Sequence, residues 1–160
     1  MRAAVLTVSD GVHEGTREDR SGDLLDELLT ARGFDVERRI VPDESDAIVT
    51  AIRDLAESVN VVLTTGGTGF APRDVTPEAT RLALDREAPG IAEAIRADAR
   101  ERTPHALLSR GVAGLLGATL VVNLPGSPGG CRDGLAVLVP ALEHGLMLAA
   151  GDRTTEHRQT

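Results

Sequence analysis

The sequence predicts an α/β fold, a three-layer α/β/α domain with a mostly parallel sheet. Two short apolar runs, Asn60-Val61-Val62-Leu63 and Leu120-Val121-Val122, have the β-branched character of strands buried on both faces. Each runs into a glycine-bearing loop, as ligand-carrying strand ends do in parallel sheets. In the first half, strand-like and helix-like segments alternate in a β-α-β-α-β order, which calls for crossovers and helices on both faces.

The elements follow in order. Ala3 to Val8 reads as the first strand and Ser9-Asp10-Gly11 as its exit turn, followed by a polar loop to about Asp19. Leu24, Leu25, Leu28 and Leu29 share a helical face, with Asp19 or Ser21 as cap and Gly33 as terminator. Phe34 to Val41 forms a second strand, stopped by Pro42. Ile48, Ile52 and Leu55 then mark a helix after the acidic turn Asp43-Glu44-Ser45-Asp46. After the central strand and its loop, Thr76 can cap a helix with Pro77 at its first position and Glu78 in its first turn. Pro77 to Leu84 and Gly90 to Arg102 read as helices, with a short helical stretch from Thr103-Pro104 to Arg110. The strand at Leu120 to Val122 leads into Asn123 to Gly130, and Ser127-Pro128 opens a last helix to about Ala150, with Pro140 inside it as a kink. The expected domain is 1–151, and the polar tail 152–160, with nothing to bury, is expected to be mobile.

Composition removes several functions. Phe34 and Phe70 are the whole aromatic content, so bases cannot be held by aromatic stacking. A net charge of -8 disfavours nucleic acid and anionic membranes as partners. All 17 basic residues are arginine, which eliminates a P-loop lysine, a Schiff-base lysine and a lysine general base. Cys131 is the single cysteine, so no intrachain disulfide forms and a reduced, cytoplasmic setting is expected. No apolar run approaches the roughly 18 to 20 residues of a membrane span, and no leader is recognised at the start. His13, His105, His144 and His157 lack metal-ligand spacing and read as surface or loop residues.

Thr64-Thr65-Gly66-Gly67-Thr68-Gly69 is the most informative stretch. Its glycines allow a sharp turn that presents bare N–H groups to an anion such as phosphate, and Thr65 and Thr68 add hydroxyl donors. Pro72 stands where a dinucleotide fingerprint needs its third glycine, and Pro125-Gly126-Ser127-Pro128-Gly129 has proline in place of the first glycine of a nucleophile elbow. Ser127 therefore reads as a helix cap. Asp43 and Asp74 each suit a helix cap or first-turn acid taken singly. Their shared place at the carboxyl edge of the sheet, beside the glycine turn, favours holding Mg2+ on phosphate groups. Ser109 next to Arg110 reads as a loop end from spacing alone. Arg20, Arg73 and Arg132 read as solvated charges, with Arg73 well placed to meet an anion.

Val8-Ser9-Asp10-Gly11, Asp19-Arg20-Ser21-Gly22, Val41-Pro42-Asp43-Glu44, Thr64 through Thr80, Leu108-Ser109-Arg110 and Asn123 through Pro128 together resemble the MogA/MoaB family of molybdopterin adenylyltransferases, over nearly the whole chain. The resemblance implies a homotrimeric enzyme of molybdenum cofactor biosynthesis that moves AMP from Mg-ATP to the phosphate of molybdopterin and releases pyrophosphate. It implies catalytic roles for Asp43, Asp74 and Ser109, with Mg2+ on the two aspartates and Ser109 handling molybdopterin. Ser9, Asp10, Ser21, Gly22, Thr65, Gly66, Gly67, Thr68, Gly69, Arg73, Pro125, Gly126, Ser127 and Pro128 would line the nucleotide and molybdopterin pocket. A molybdenum insertase is the implied downstream partner. Arg20 and Gly129 stand where many relatives carry lysine: the first keeps the charge, the second loses it, and Arg132 is a candidate to compensate. The competing readings are a non-catalytic molybdopterin-binding protein and an interaction module on the same fold.

Overall fold

The computed structural model describes residues 1–151, and the tail 152–160 lies outside the described residues. The chain forms β1 (Arg2–Val8), α1 (Asp10–His13), α2 (Arg20–Thr30), β2 (Asp35–Val41), α3 (Ser45–Ala56), β3 (Val61–Thr65), α4 (Thr76–Ala83), β4 (Arg86–Glu87), α5 (Pro89–Arg100), β5 (Ala113–Leu116), β6 (Thr119–Leu124) and α6 (Pro128–Ala149). A 3-10 turn at Pro104–Leu108 lies between α5 and β5. The strands form one sheet in the order β2-β1-β3-β6-β5-β4. The pairs from β2 through β6 are parallel, and β5 and β4 add an antiparallel edge.

Alternation along the central strands sorts side chains onto two cores. Ala3, Val5, Val61, Leu63, Val122 and Leu124 face α2, α5 and α6, where they meet Leu25, Leu29, Ile95, Leu135 and Leu142. Ala4, Leu6, Val8, Val62 and Val121 face α3 and α4, against Ile48, Ile52, Leu55, Ala79 and Ala83. The sheet is thus covered on both sides, and the three layers predicted from the sequence are present.

The chain runs outward from β1 to β2, then crosses back to place β3 on the other side of β1. Strand order reverses there, and the loops leaving the carboxyl ends of β1 and β3 diverge to open a crevice. Both loops named in the sequence lie along this edge.

Several elements depart from expectation. The exit turn after β1 contains a one-turn helix, α1, with Ser9 accepting from the Val12 N–H at 3.3 Å. Thr76 is not a cap: the cap position falls on Val75, and the Thr76 hydroxyl donates instead to the Gly66 carbonyl at 2.9 Å. Asp19, rather than Ser21, caps α2 by accepting from the Gly22 N–H at 3.0 Å. Asn123 and Leu124 belong to β6 and not to the loop. The stretch toward Arg110 is helical only to Leu108, and Pro140 lies within the continuous span of α6. The antiparallel strands β4 and β5 were not anticipated, since each is too short to show a period.

Asn123 explains why β6 extends further. It is 4% exposed, donates to the hydroxyls of Thr64 and Thr80 at 2.9 Å each, and accepts from the Val112 N–H at 3.1 Å. One amide ties β3, α4 and the entry to β5 together. Asn123→Ala is expected to lower the unfolding free energy by roughly 2–4 kcal/mol, because it strands buried polar groups. Urea denaturation checks this, and a loss under about 1 kcal/mol would mean that the hydroxyls find other partners.

Candidate active site

The glycine loop starts where β3 ends. Gly66 and Gly67 take φ values of 98° and 65°, a left-handed pair that other residues adopt only with strain. A methyl at Gly66 would collide with the Val8 carbonyl oxygen, and one at Gly126 would come within 3.3 Å of the Gly66 Cα. The loop carbonyls are bound from behind: Gly66 by the Thr76 hydroxyl, Gly67 by the Thr76 N–H at 3.1 Å, and Thr68 by the Arg110 N–H at 2.9 Å. Among the described residues the N–H groups of Gly66 to Gly69 make no such bonds. A turn of this shape is a ready anion nest.

Acid groups gather beside it. Asp10 and Asp43 clasp each other: the Asp10 N–H donates to Asp43 Oδ2 at 2.8 Å, and the Asp43 N–H donates to Asp10 Oδ1 at 3.0 Å. Arg73 reaches back from the glycine-loop segment and donates to both Asp10 oxygens, Nε at 2.6 Å and Nη2 at 2.9 Å. It is therefore paired rather than simply solvated. Its hydrogen bonds, followed by that from the Asp43 N–H, hold the Asp10 carboxyl below the usual range. Asp43 moves the other way. Burial raises its pKa, and the neighbouring Asp10 and Asp74 carboxylates add to the shift. Asp43 Oδ1 would lie 3.2 Å from a Cβ at Gly67, and Asp74 Oδ2 2.9 Å from one at Gly69, so the two carboxylates flank the loop.

The second loop is pinned beneath the first. The Pro125 carbonyl accepts from the Thr65 hydroxyl at 2.8 Å and from the Cys131 thiol at 3.0 Å. Burial pushes the thiol to about 11, so it serves as a hydrogen-bond donor and not as a thiolate. Ser127 caps α6 by accepting from the Gly130 N–H at 3.1 Å, as the sequence suggested. On the other flank, Asp19 holds the start of α2, accepting from Thr7 Oγ1 at 2.8 Å and pairing with Arg38.

Two clefts open on this edge. One, of about 790 Å³, is lined by Ser9, Asp19, Ser21, Thr65, Gly126 and Ser127, and the first turns of α2 and α6 reach its wall. The other, of about 440 Å³, is lined by Thr68, Gly69, Ala106, Ser109, Ser127 and Gly129 and has mostly apolar walls. Ser127 borders both. Ser109, a loop end by spacing, thus opens on the second cleft, and Gly22 is packed under Asp19 and Arg38 rather than facing a guest. Arg132 is exposed and borders neither cleft. Sequence reasoning named Asp19 as a cap but not its ties to Thr7 and Arg38, and it missed Arg110 and Cys131 as braces. Thr7 and Arg38 lie 12 and 19 residues from Asp19, the Arg110 side-chain acceptors 32 to 41 residues away, and the Cys131 acceptor is a main-chain carbonyl, so none of these ties leaves a local signal.

Residues 4–144 match the family described as "Probable molybdopterin binding domain". This chain belongs to that family. It is similar to the molybdopterin biosynthesis enzyme MoaB of Thermus thermophilus, at 48% identity and a TM-score of 0.87 over 94% of this chain and 96% of that one. The Mog protein of Mycobacterium ulcerans gives 42% identity and a TM-score of 0.88, covering 92% and 98%. The molybdopterin adenylyltransferase of Escherichia coli K12 is 39% identical over 84% of this chain and 72% of its own length. The chain spans only 22% to 49% of the length of three other curated relatives. No helix among the described residues is long and apolar enough to cross a membrane.

Within this fold, the partly buried carboxylate of Asp43 exacts a stability cost that can be measured. A carboxyl with a raised folded pKa binds its proton more tightly when folded, so stability falls as pH rises through the ordinary value toward the raised one. Asn at this position keeps an oxygen to accept from the Asp10 N–H and removes the charge. Asp43→Asn is expected to raise the thermal midpoint at pH 7 by roughly 1–4 °C. The gain should disappear below the ordinary carboxylate range. A lower midpoint at pH 7 would show that the charged hydrogen bond outweighs burial.

Proposed function

We propose that the protein is a molybdopterin adenylyltransferase of molybdenum cofactor biosynthesis, acting on ATP and molybdopterin. The observation that carries this reading is the pair of clefts that share Ser127 and border the glycine loop at Thr65 and at Thr68 and Gly69, the loop that Asp43 and Asp74 flank. Transfer of AMP joins two ring-bearing anions through their phosphates, and two clefts that share Ser127 suit that task. The cleft carrying Ser109 is assigned to the pterin and the larger one to the nucleotide.

One oxygen of the molybdopterin phosphate forms a bond to the α-phosphorus of ATP. The bond from that phosphorus to the α,β-bridging oxygen breaks, and its electron pair leaves with pyrophosphate. The nucleophile carries close to two negative charges at neutral pH and needs no base to deprotonate it. The protein's work is to align two anions and reduce their repulsion. The loop N–H groups of Gly66 to Gly69 serve the phosphates, Ser9, Ser21, Thr65 and the 125–128 loop line the clefts, and Arg73 offsets the charge of Asp10 beside the loop.

The donor set fits Mg2+. Asp43 and Asp74 supply hard oxygens on either side of the loop, and among the described residues no group of three or more potential ligands forms a protein cage. Mg2+ is usually held by one or two carboxylates together with substrate phosphates and water. Bound there, the ion would neutralise phosphate charge. A cytoplasmic homotrimer that passes its product to a molybdenum insertase completes the reading. Leu82 and Leu107, 65% and 63% exposed, are apolar surface consistent with assembly.

The decisive experiment is pyrophosphate release from Mg-ATP with freshly prepared molybdopterin. Asp74→Asn is expected to lower turnover by at least about a hundredfold while leaving the circular dichroism spectrum unchanged. Normal Mg2+-dependent turnover in the variant would refute the assignment. Tight molybdopterin binding without release by the unaltered protein would leave a non-catalytic binding protein. A second test uses Gly129, where a Cβ meets open space at the mouth of the pterin cleft. Gly129→Lys is expected to lower the KM for molybdopterin by roughly two- to fivefold through charge. An unchanged KM would place the phosphate elsewhere.

A further inference from the structure

We propose that Arg110 is a positioning residue that sets the Asp74 carboxylate by closing the neck of the turn that carries it. The inference rests on the adenylyl-transfer reading and adds a residue to that site.

Residues 70–74 leave the glycine loop and return to α4 with little packing of their own: Phe70 is 68% exposed, and Ala71, Pro72 and Arg73 are exposed as well. The turn closes on itself through the Asp74 N–H to the Ala71 carbonyl and the Ala71 N–H to Asp74 Oδ2, both 2.9 Å. Those bonds shape the turn but do not fix it relative to the loop. Arg110 does so. Its Nε donates to the Gly69 carbonyl at 2.8 Å and its Nη2 to the Asp74 carbonyl at 2.6 Å, on the two sides of the neck. Nη1 pairs with Glu78 on α4, and its own N–H binds the Thr68 carbonyl.

Each guanidinium nitrogen is thus engaged within the protein, so Arg110 is a brace and not a free phosphate contact. The planar fork reaches both carbonyls at once, which a lysine ammonium cannot reproduce. The segment behind it is anchored in turn, with Arg96 donating to the Gly111 carbonyl at 2.7 Å. Because Ser109 precedes Arg110 directly, the wall of the pterin cleft and the metal-side turn move as one piece.

The test compares Arg110→Gln, Arg110→Lys and Glu78→Gln with the unaltered protein. Mn2+ stands in for Mg2+, because both favour octahedral oxygen donors, and its binding to the protein–ATP complex is followed by electron paramagnetic resonance. Arg110→Gln is expected to weaken Mn2+ binding about tenfold and to lower kcat for pyrophosphate release at least as much, with the KM for ATP changed less than about threefold. Arg110→Lys should recover little. Glu78→Gln, which keeps both carbonyl bonds, should stay within about twofold of the unaltered protein. Unaltered Mn2+ affinity in folded Arg110→Gln overturns the proposal, as does full recovery by lysine. Should Arg110→Gln fail to fold, Arg110→Lys is read by the same criterion. If the unaltered protein binds no Mn2+ with ATP, the adenylyl-transfer reading fails instead.

Discussion

At the carboxyl edge of the sheet, the ends of β1, β3 and β6 converge until the backbones of their loops touch. The side chain absent at residue 66 makes that convergence possible. The space its Cβ would need is filled by the Val8 carbonyl from β1, and Gly126 from the loop after β6 packs against its Cα. With those three backbones in contact, Thr76 can reach the Gly66 carbonyl, the Thr65 hydroxyl can reach Pro125, and Asp43 comes to lie beside Gly67. The reversal of strand order between β1 and β3 creates the crevice, but the close approach of bare backbone gives it a floor.

The charge on that floor is distributed unevenly, in a way that suits anionic guests on an acidic protein. The net charge of -8 repels phosphates at long range, so attraction must be local. The cleft walls offer N–H donors and the first turns of α2 and α6. The carboxylates gather apart, at Asp10, Asp43 and Asp74, beside the glycine loop. Arg73 offsets part of their repulsion by taking both oxygens of Asp10. Asp43 remains desolvated and close to like charges, a strained arrangement that stability alone does not favour.

What could be read from the sequence divides along physical lines. The central strands and amphipathic helices were legible because burial on one or both faces imposes a period on Val61 to Leu63 or on Ile48, Ile52 and Leu55. The glycine loop was legible because three glycines in four positions have few other uses. β4 and β5 were not, since a two-residue and a four-residue strand show no period. Thr76 misled because threonine before proline and glutamate is a good cap, yet its hydroxyl finds a stronger claim in the Gly66 carbonyl ten residues back. Arg110 was invisible as a brace: its acceptors are main-chain carbonyls 36 and 41 residues away, and a carbonyl leaves no mark in the sequence. Side-chain identity reports what a residue can donate, whereas the acceptor is chosen by the fold.

That asymmetry bears on how the site works. When the nucleophile arrives already ionised, the main demand on the protein is position. Position here is set by side chains that donate to backbone. Arg110 spans Gly69 and Asp74, Cys131 and Thr65 share the Pro125 carbonyl, and Thr76 holds Gly66. None of these braces needs to change protonation near neutral pH: the guanidinium stays charged, the hydroxyls stay neutral, and the thiol is pushed to about 11 by burial. The loops are consequently held by donors whose state does not depend on the charge of a guest. The carboxylates of Asp10, Asp43 and Asp74 are carried on that fixed frame, beside the loop that the braces hold.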